Sequence, residues 1–166
     1  MLLCVGLFLL VSTQAQNKKA AQYNNKIIDL QYKLVPDVVN FFKAFEGGNL
    51  TDLKSKKAIL SKDFTSAIAK VTKMKAFEGD IALRDAALEW FNLYKSSLDA
   101  EYNHIIELAS KPKDKRTAED KAKLQKLSDE LIGKETEIDL KFEAAQVTFS
   151  KKHGLELKSY EIGQTN

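Results

Sequence analysis

Residues 77–94 read FEGDIALRDAALEWFNLY, and this stretch decides the fold. Glycine readily adopts the left-handed backbone conformation that ends many helices, so Gly79 predicts a helix end. The carboxylate of Asp80 can accept from the first free backbone N–H groups of a new helix, and its charge suits the positive end of the helix dipole. The stretch also holds Trp90, the only tryptophan. We therefore predict that one helix ends here, that another begins, and that the middle of the core lies at this point.

The helix that begins at Asp80 is predicted to run to Lys111. Its apolar residues recur at steps of three or four, with one step of seven, as they do on the buried face of a helix: Leu88, Phe91, Leu98, Tyr102, Ile105 and Ala109. Trp90 and Tyr94 lie beside this stripe and widen it. Two interpretations stand. These aromatic residues belong to a helical core, or Trp90, Phe91 and Tyr94 line a ligand-binding groove.

The same spacing predicts three further helices. The first spans about residues 18–45 and contains Pro36, which removes a backbone donor and predicts a kink there. The second spans about residues 51–77, and the last spans about residues 118–153. Four long helices joined by short loops predict an all-α fold, an up-down-up-down antiparallel four-helix bundle. No segment alternates with period two, so no sheet is predicted.

Capping residues mark two of the helix starts. Asn49 or Thr51 can cap the second helix, although Asn49-Leu50-Thr51 also has the form of a glycosylation sequon. Thr117 and Asp120 have the spacing of a capping box, with Asp in place of Glu. We expect the last helix to begin there.

Charge differs between the two middle helices. Residues 52–78 hold seven lysines and three acidic residues, whereas residues 80–111 hold six acidic and three basic residues. Opposite charge favours their packing, although each exposed pair stabilises by only about 0–1 kcal/mol.

The last helix carries a polar residue where its stripe expects an apolar one, at Glu135 or Lys134. A polar residue between the helices of a bundle can fix their register, and it could also line a site. Gly133 lies beside it, so we predict that Glu135 is partly exposed near a bend.

Residues 1–15 are predicted to be a secretory signal peptide. Residues 2–11 are almost wholly apolar, and small residues stand at Thr13 and Ala15, which is typical of a signal core and its cleavage site. The run is about half of the roughly 20 residues that a membrane-spanning helix needs. Cleavage would leave Gln16 first and would make the protein secreted, periplasmic or displayed at the cell surface. No Lys or Arg precedes the run, which leaves open that the true start lies upstream.

Cys4 is the only cysteine, and it precedes the apolar run. The acylated cysteine of a lipoprotein signal follows such a run, and Leu3 is large where that signal has a small residue. We therefore expect no lipid anchor at Cys4. The mature chain would have no disulfide, so the core must supply its stability.

The chain has 166 residues, and its net charge of +3 is too mild to indicate nucleic acid binding. We predict one domain, with the bundle over residues 16–154 and a C-terminal tail over residues 155–166. The basic loop 111–116 is interpreted as a solvated connector, and the alternative is a weak contact to acidic surface polymers or lipid head groups.

Glu101 and His104 have the Glu-x-x-His spacing of di-metal bundles. Such sites need a second motif of this kind, and the chain has only two histidines. Glu101 and His104 are also predicted to turn away from the apolar stripe. No nucleophile, base and orienting residue stand at a defined spacing. We therefore expect no metal, no cofactor and no enzyme activity.

Several stretches resemble one family. They are Phe77-Glu78-Gly79-Asp80, Leu83 to Leu88, Phe91-x-x-Tyr94-Lys95, Tyr23 to Ile28 with Gln31, Phe142 to Gln146, Phe149, and Lys151-Lys152-His153. With these residues the chain resembles a family of small bacterial surface proteins that are helical, exported, sometimes lipid-anchored and without an assigned function. The resemblance spans nearly the whole mature chain. It implies an envelope or surface location, and it implies no enzyme and no catalytic residues.

The main hypothesis is an exported, non-enzymatic helical-bundle protein of the bacterial cell envelope or surface, with a binding or structural role. Its partner would be an unknown envelope or surface protein, and we expect no nucleic acid and no transmembrane helix in the mature chain. The alternative is a carrier of a small apolar ligand, held between the helices near Trp90, Phe91 and Tyr94.

Overall fold

The computed structural model describes residues 7–11 and 15–160, and helices dominate them. The helices are α1 (Ala15–Gly47), α2 (Leu50–Thr72), α3 (Ala82–Asp99), α4 (Glu101–Ser110) and α5 (Ala118–Lys152), with a 3-10 turn at Lys113–Lys115. α1 packs on α2, α2 packs on α3, and α5 packs on both α3 and α4. The predicted all-helical class is confirmed, and this packing is that of a helical bundle. α1 continues through Pro36, and the kink there stays a prediction.

The predicted caps of α2 and α5 are confirmed. The Asn49 side chain accepts from the backbone N–H groups of Thr51 and Asp52, each at 3.1 Å. Thr117 and Asp120 form the capping box, in which each side chain accepts from the other residue's backbone N–H at 3.1 Å. These bonds satisfy donors that the first turn of a helix leaves free.

The connection between α2 and α3 differs from the prediction, because α2 ends before Phe77 and Gly79 ends no helix. Phe77 and Asp80 exchange two backbone hydrogen bonds, at 2.9 and 2.8 Å. Between them, Glu78 and Gly79 have φ values of 50° and 85°. This is a two-residue hairpin turn with both central residues in the left-handed region. Asp80 does serve the next helix, since its carboxylate accepts from the Ala82 N–H at 2.9 Å.

The single helix predicted over residues 80–111 is two helices, because the backbone breaks at Ala100 (φ −111°, ψ −75°). The side-chain amide of Asn103 donates to the backbone carbonyl of Asp99, which an unbroken helix would pair with the Asn103 backbone N–H. The Asp99 carboxylate accepts from the Ser61 hydroxyl of α2 at 2.9 Å and pairs with Lys95 at 2.6 Å. Bonds made by side chains around Asp99 therefore favour the break.

All five helices contribute to one apolar core. Its buried side chains include Ile27, Ile28 and Phe41 of α1, Phe64 and Val71 of α2, Trp90 and Phe91 of α3, Ile105 of α4, and Leu131 and Phe142 of α5. The predicted stripes are thus largely the buried faces.

Two short strands, which were not predicted, pair in antiparallel fashion. β1 (Leu7–Val11) lies in the predicted signal peptide, β2 (Glu156–Tyr160) lies in the predicted tail, and Leu9 is opposite Lys158. Cys4, Thr13 and residues 161–166 lie outside the described residues. None of the helices in the described ranges is long and apolar enough to cross a membrane.

Candidate functional site

The residues predicted to bind a ligand lie together on α3, inside the core. Trp90, Phe91 and Tyr94 are 2%, 0% and 4% exposed. The Trp90 ring centroid lies 4.4 Å from that of Tyr94 and 5.0 Å from that of Phe91. The Tyr94 ring stacks on Phe64 of α2 with centroids 6.2 Å apart. The rings fill this part of the interior by contacting one another, and ligand binding there stays a prediction.

One carboxylate oxygen of α5 binds the polar ends of two of these rings. Trp90 Nε1 donates to Asp139 Oδ1 at 2.7 Å, and the Tyr94 hydroxyl donates to the same oxygen at 3.0 Å. Burial raises the pKa of Asp139, and the two donated hydrogen bonds act to lower that pKa. The indole and the phenol thereby avoid the penalty of a buried donor without a partner.

Glu135 lies one turn before Asp139 on α5, and the prediction that it is partly exposed is wrong. It is 6% exposed. Burial raises its pKa to about 7, the nearby Asp139 raises it as well, and a hydrogen bond with Tyr102 acts to lower it. Its Oε1 atom has no hydrogen-bond partner among the described residues. The stripe of α5 did point inward at this position, and a carboxyl occupies it.

A small cavity beside Glu135 lies where the five helices meet. Its volume is about 20 Å³, and its lining includes Phe41 of α1, Phe64 of α2, Tyr94 of α3 and Tyr102 of α4. A cavity needs a volume of roughly 10–15 Å³ to hold one water molecule. Glu135 is the one charged residue in its lining, so the cavity has space and an acceptor for about one water molecule.

Glu101 and His104, which have the Glu-x-x-His spacing, do not line the cavity beside Glu135. Glu101 pairs with Lys134 of α5 at 2.6 Å, and His104 is exposed. Within the described residues no group of three or more His, Cys, Asp or Glu lies together in a way that could hold a metal ion. Glu135 and Asp139 can accept hydrogen bonds and exchange a proton, and the groups that contact them are the Trp90 indole and the phenols of Tyr94 and Tyr102.

A second candidate site lies on the surface, where the end of α2 meets α1. It is an open groove of about 410 Å³, and we call it the basic groove. Its lining residues are Tyr23, Lys26, Lys70, Lys73, Met74, Lys75 and Ala76. The four lysines are exposed. Sequence reasoning missed this groove because Lys26 comes from a different helix, although the excess of lysines over residues 52–78 was visible.

The lysines of the basic groove are not neutralised by neighbouring acids. None of the four forms an ion pair within the part of the chain that the structure describes. Two carboxylates, those of Asp80 and Asp85, have charges that act on Tyr23. Both of them have partners other than the four lysines. Asp80 pairs with Lys152 at 2.5 Å, and Asp85 pairs with Arg84 at 2.7 Å. The groove therefore presents four exposed lysines that form no ion pair with a described residue.

Comparison with protein-family models, with curated proteins and with solved structures finds no match for this chain. The resemblance to the bacterial surface family stays a prediction, and the function has to be inferred from the two sites.

Proposed function

We propose that this chain is an exported, non-enzymatic helical-bundle protein of the bacterial cell envelope or surface, and that it acts as a binding module. The basic groove supports the binding role, because its four exposed lysines have no acidic partner among the described residues. The apolar residues 2–11 and the small residues after them support export. The bundle is proposed to have up-down-up-down order, with its first helix kinked near Pro36.

The small size of the internal cavity favours a binding site on the surface over one in the core. The cavity beside Tyr94 has a volume of about 20 Å³, whereas sites for small ligands usually measure about 300–1,000 Å³. A small apolar ligand held near Trp90 would require α3 to move away from its neighbours. A partner at the basic groove requires no such movement.

The test has two steps, cell fractionation and affinity capture. The intact mass of the native protein is expected to match a chain that begins at Gln16, in a periplasmic, extracellular or surface fraction. The protein is then used to capture a partner from an envelope extract. We expect the wild-type chain to retain an envelope component that the Lys26→Glu/Lys73→Glu variant loses.

Lys54→Glu/Lys62→Glu is the matched control, because it makes the same change of charge at exposed lysines outside the groove. It should retain the partner. A chain that stays in the cytoplasmic fraction with residues 1–15 intact would overturn the proposal, as would equal recovery by all three chains. Turnover of a hydrolase or redox substrate by the purified protein would overturn the non-enzymatic assignment.

A further inference from the structure

The lysines of the basic groove are more numerous than α2 itself requires. Cations near the C-terminus of a helix are favoured by the helix dipole, and this accounts for Lys70 in the last turn of α2 and Lys73 at its cap. It does not account for Lys75, which lies beyond the helix. It does not account for Lys26 either, because that residue belongs to α1.

Three backbone carbonyls at and beyond the end of α2 already accept hydrogen bonds from other groups. The Val71 carbonyl accepts from the Met74 N–H at 2.9 Å. The Met74 carbonyl accepts from Arg84 Nη1 at 3.3 Å, and the Lys75 carbonyl accepts from the Tyr23 hydroxyl at 3.0 Å. Within the described part of the chain, none of the four ammonium groups donates to a side chain or a backbone carbonyl, so all four are available to an external anion.

The density of cations indicates the type of anion. Arginine pairs bidentately with carboxylate and with phosphate, whereas lysine binds phosphate as a point charge. A phosphate group carries roughly two negative charges and three acceptor oxygens, so one such group can neutralise two neighbouring lysines. Arg84, the nearest guanidinium, is engaged by the Asp85 carboxylate and the Met74 carbonyl. The lining of the groove contains lysines and no arginine.

We propose that the basic groove binds a compact small molecule that carries two or more phosphate groups. The volume of about 410 Å³ lies in the range of small-ligand sites, about 300–1,000 Å³. The half-buried side chains of Tyr23 and Met74 add an apolar wall for the organic part of such a molecule. Four clustered lysines, rather than an extended stripe, favour a compact anion over a polymer. This inference rests on the binding role proposed for the groove.

Calorimetric titration of the purified full-length chain with inorganic tripolyphosphate tests the proposal, with citrate as the carboxylate comparison. We expect tripolyphosphate to bind more tightly than citrate, and binding to weaken as salt is added. The Lys26→Glu/Lys73→Glu variant should bind tripolyphosphate at least roughly tenfold more weakly, which corresponds to about 1.4 kcal/mol. The Lys54→Glu/Lys62→Glu control should stay within about twofold of wild type. Backbone amide chemical shifts should change over residues 70–76.

Three results would overturn the proposal. Tripolyphosphate does not bind, both double variants weaken its binding equally, or the chemical shift changes are confined to the basic loop 111–116. Binding to phosphatidylglycerol vesicles, but not to phosphatidylcholine vesicles or tripolyphosphate, would replace it with a lipid surface. If tripolyphosphate fails while the groove variant still loses its envelope partner, the ligand class is wrong and the proposed function stands. If both experiments fail, the binding role itself is wrong.

Discussion

At the scale of single residues, Glu135 places an ionisable group in the core. Burial disfavours its charged form, and the adjacent Asp139 disfavours it further. Burial and the Glu135 charge also raise the pKa of Tyr102, so that phenol remains a hydrogen-bond donor. With a pKa of about 7, Glu135 changes its protonation state near neutral pH.

The stability of the protein should therefore depend on pH through Glu135. Its folded pKa of about 7 exceeds its ordinary value of 4.5, so between these values the unfolded chain has released the proton that the folded chain retains. The free energy of unfolding then falls as pH rises through this range, by about 3 kcal/mol. Glu135→Gln should remove most of this fall and should make the protein more stable than wild type at pH 8. Urea unfolding at pH 5 and pH 8 measures both effects.

Glu137→Gln provides the control, since Glu137 is exposed on the same helix. It should leave the pH dependence of wild type in place. Some slope should persist even in Glu135→Gln, because burial also raises the pKa of Asp139. An unchanged difference between pH 5 and pH 8 in Glu135→Gln would contradict the assignment.

Periodicity identified the position of Glu135 but not its environment. The apolar steps along α5 predict which face turns inward, and Glu135 falls on that face. Its partner Tyr102 lies on α4, and Trp90 and Tyr94, the partners of Asp139, lie on α3. No local pattern encodes these contacts, so a bend near Gly133 was the simpler interpretation of the sequence.

At the scale of elements, α3 depends on one aromatic face. Phe91 is fully buried, and its ring lies 5.0 Å from that of Trp90 and 6.4 Å from that of Phe64, centroid to centroid. Removing a buried phenylalanine ring leaves a cavity in addition to the lost transfer energy. We expect Phe91→Ala to lower the free energy of unfolding by about 3–5 kcal/mol in urea.

Asn92→Ala is the matched control, because Asn92 is exposed on the same turn of α3. Its effect should lie within about 0.5 kcal/mol. A loss of less than about 1 kcal/mol in Phe91→Ala would show that the buried face assigned to α3 is misplaced.

The starts of α2 and α5 were predictable, whereas the ends of α2 and α3 were not. Asn49, Thr117 and Asp120 cap their helices through neighbours in the sequence, so their role can be recognised locally. The end of α3 depends on contacts around Asp99 that include Ser61 of α2, which is distant in the sequence. The end of α2 is followed by the hairpin turn at Gly79, where a glycine that suits a helix end also suits a left-handed turn.

At the scale of the whole molecule, the β1–β2 pair joins the first and last described segments. A chain that begins at Gln16 lacks β1 but retains the core residues described above for the five helices. We expect this chain to keep the circular dichroism and the urea midpoint of the full-length protein. The amides of β2 should lose their protection from hydrogen exchange, because the opposite strand is gone.

The full-length protein serves as the reference, with the amides of β2 protected. A marked loss of helical signal in the chain that begins at Gln16 would show that the fold needs residues 1–15. That result would contradict their assignment to a removable signal peptide.

During synthesis of the chain, β1 exists long before β2. A ribosome delivers the N-terminal end first, and folding proceeds as the chain emerges. α1 and α2 are neighbours in the sequence and can pack soon after Thr72 is made, whereas Leu7 has no partner until Tyr160 follows. Closing so long a loop is also entropically less favourable than closing a helical hairpin. An export factor that recognises the apolar residues of β1 on the nascent chain would therefore encounter them unpaired.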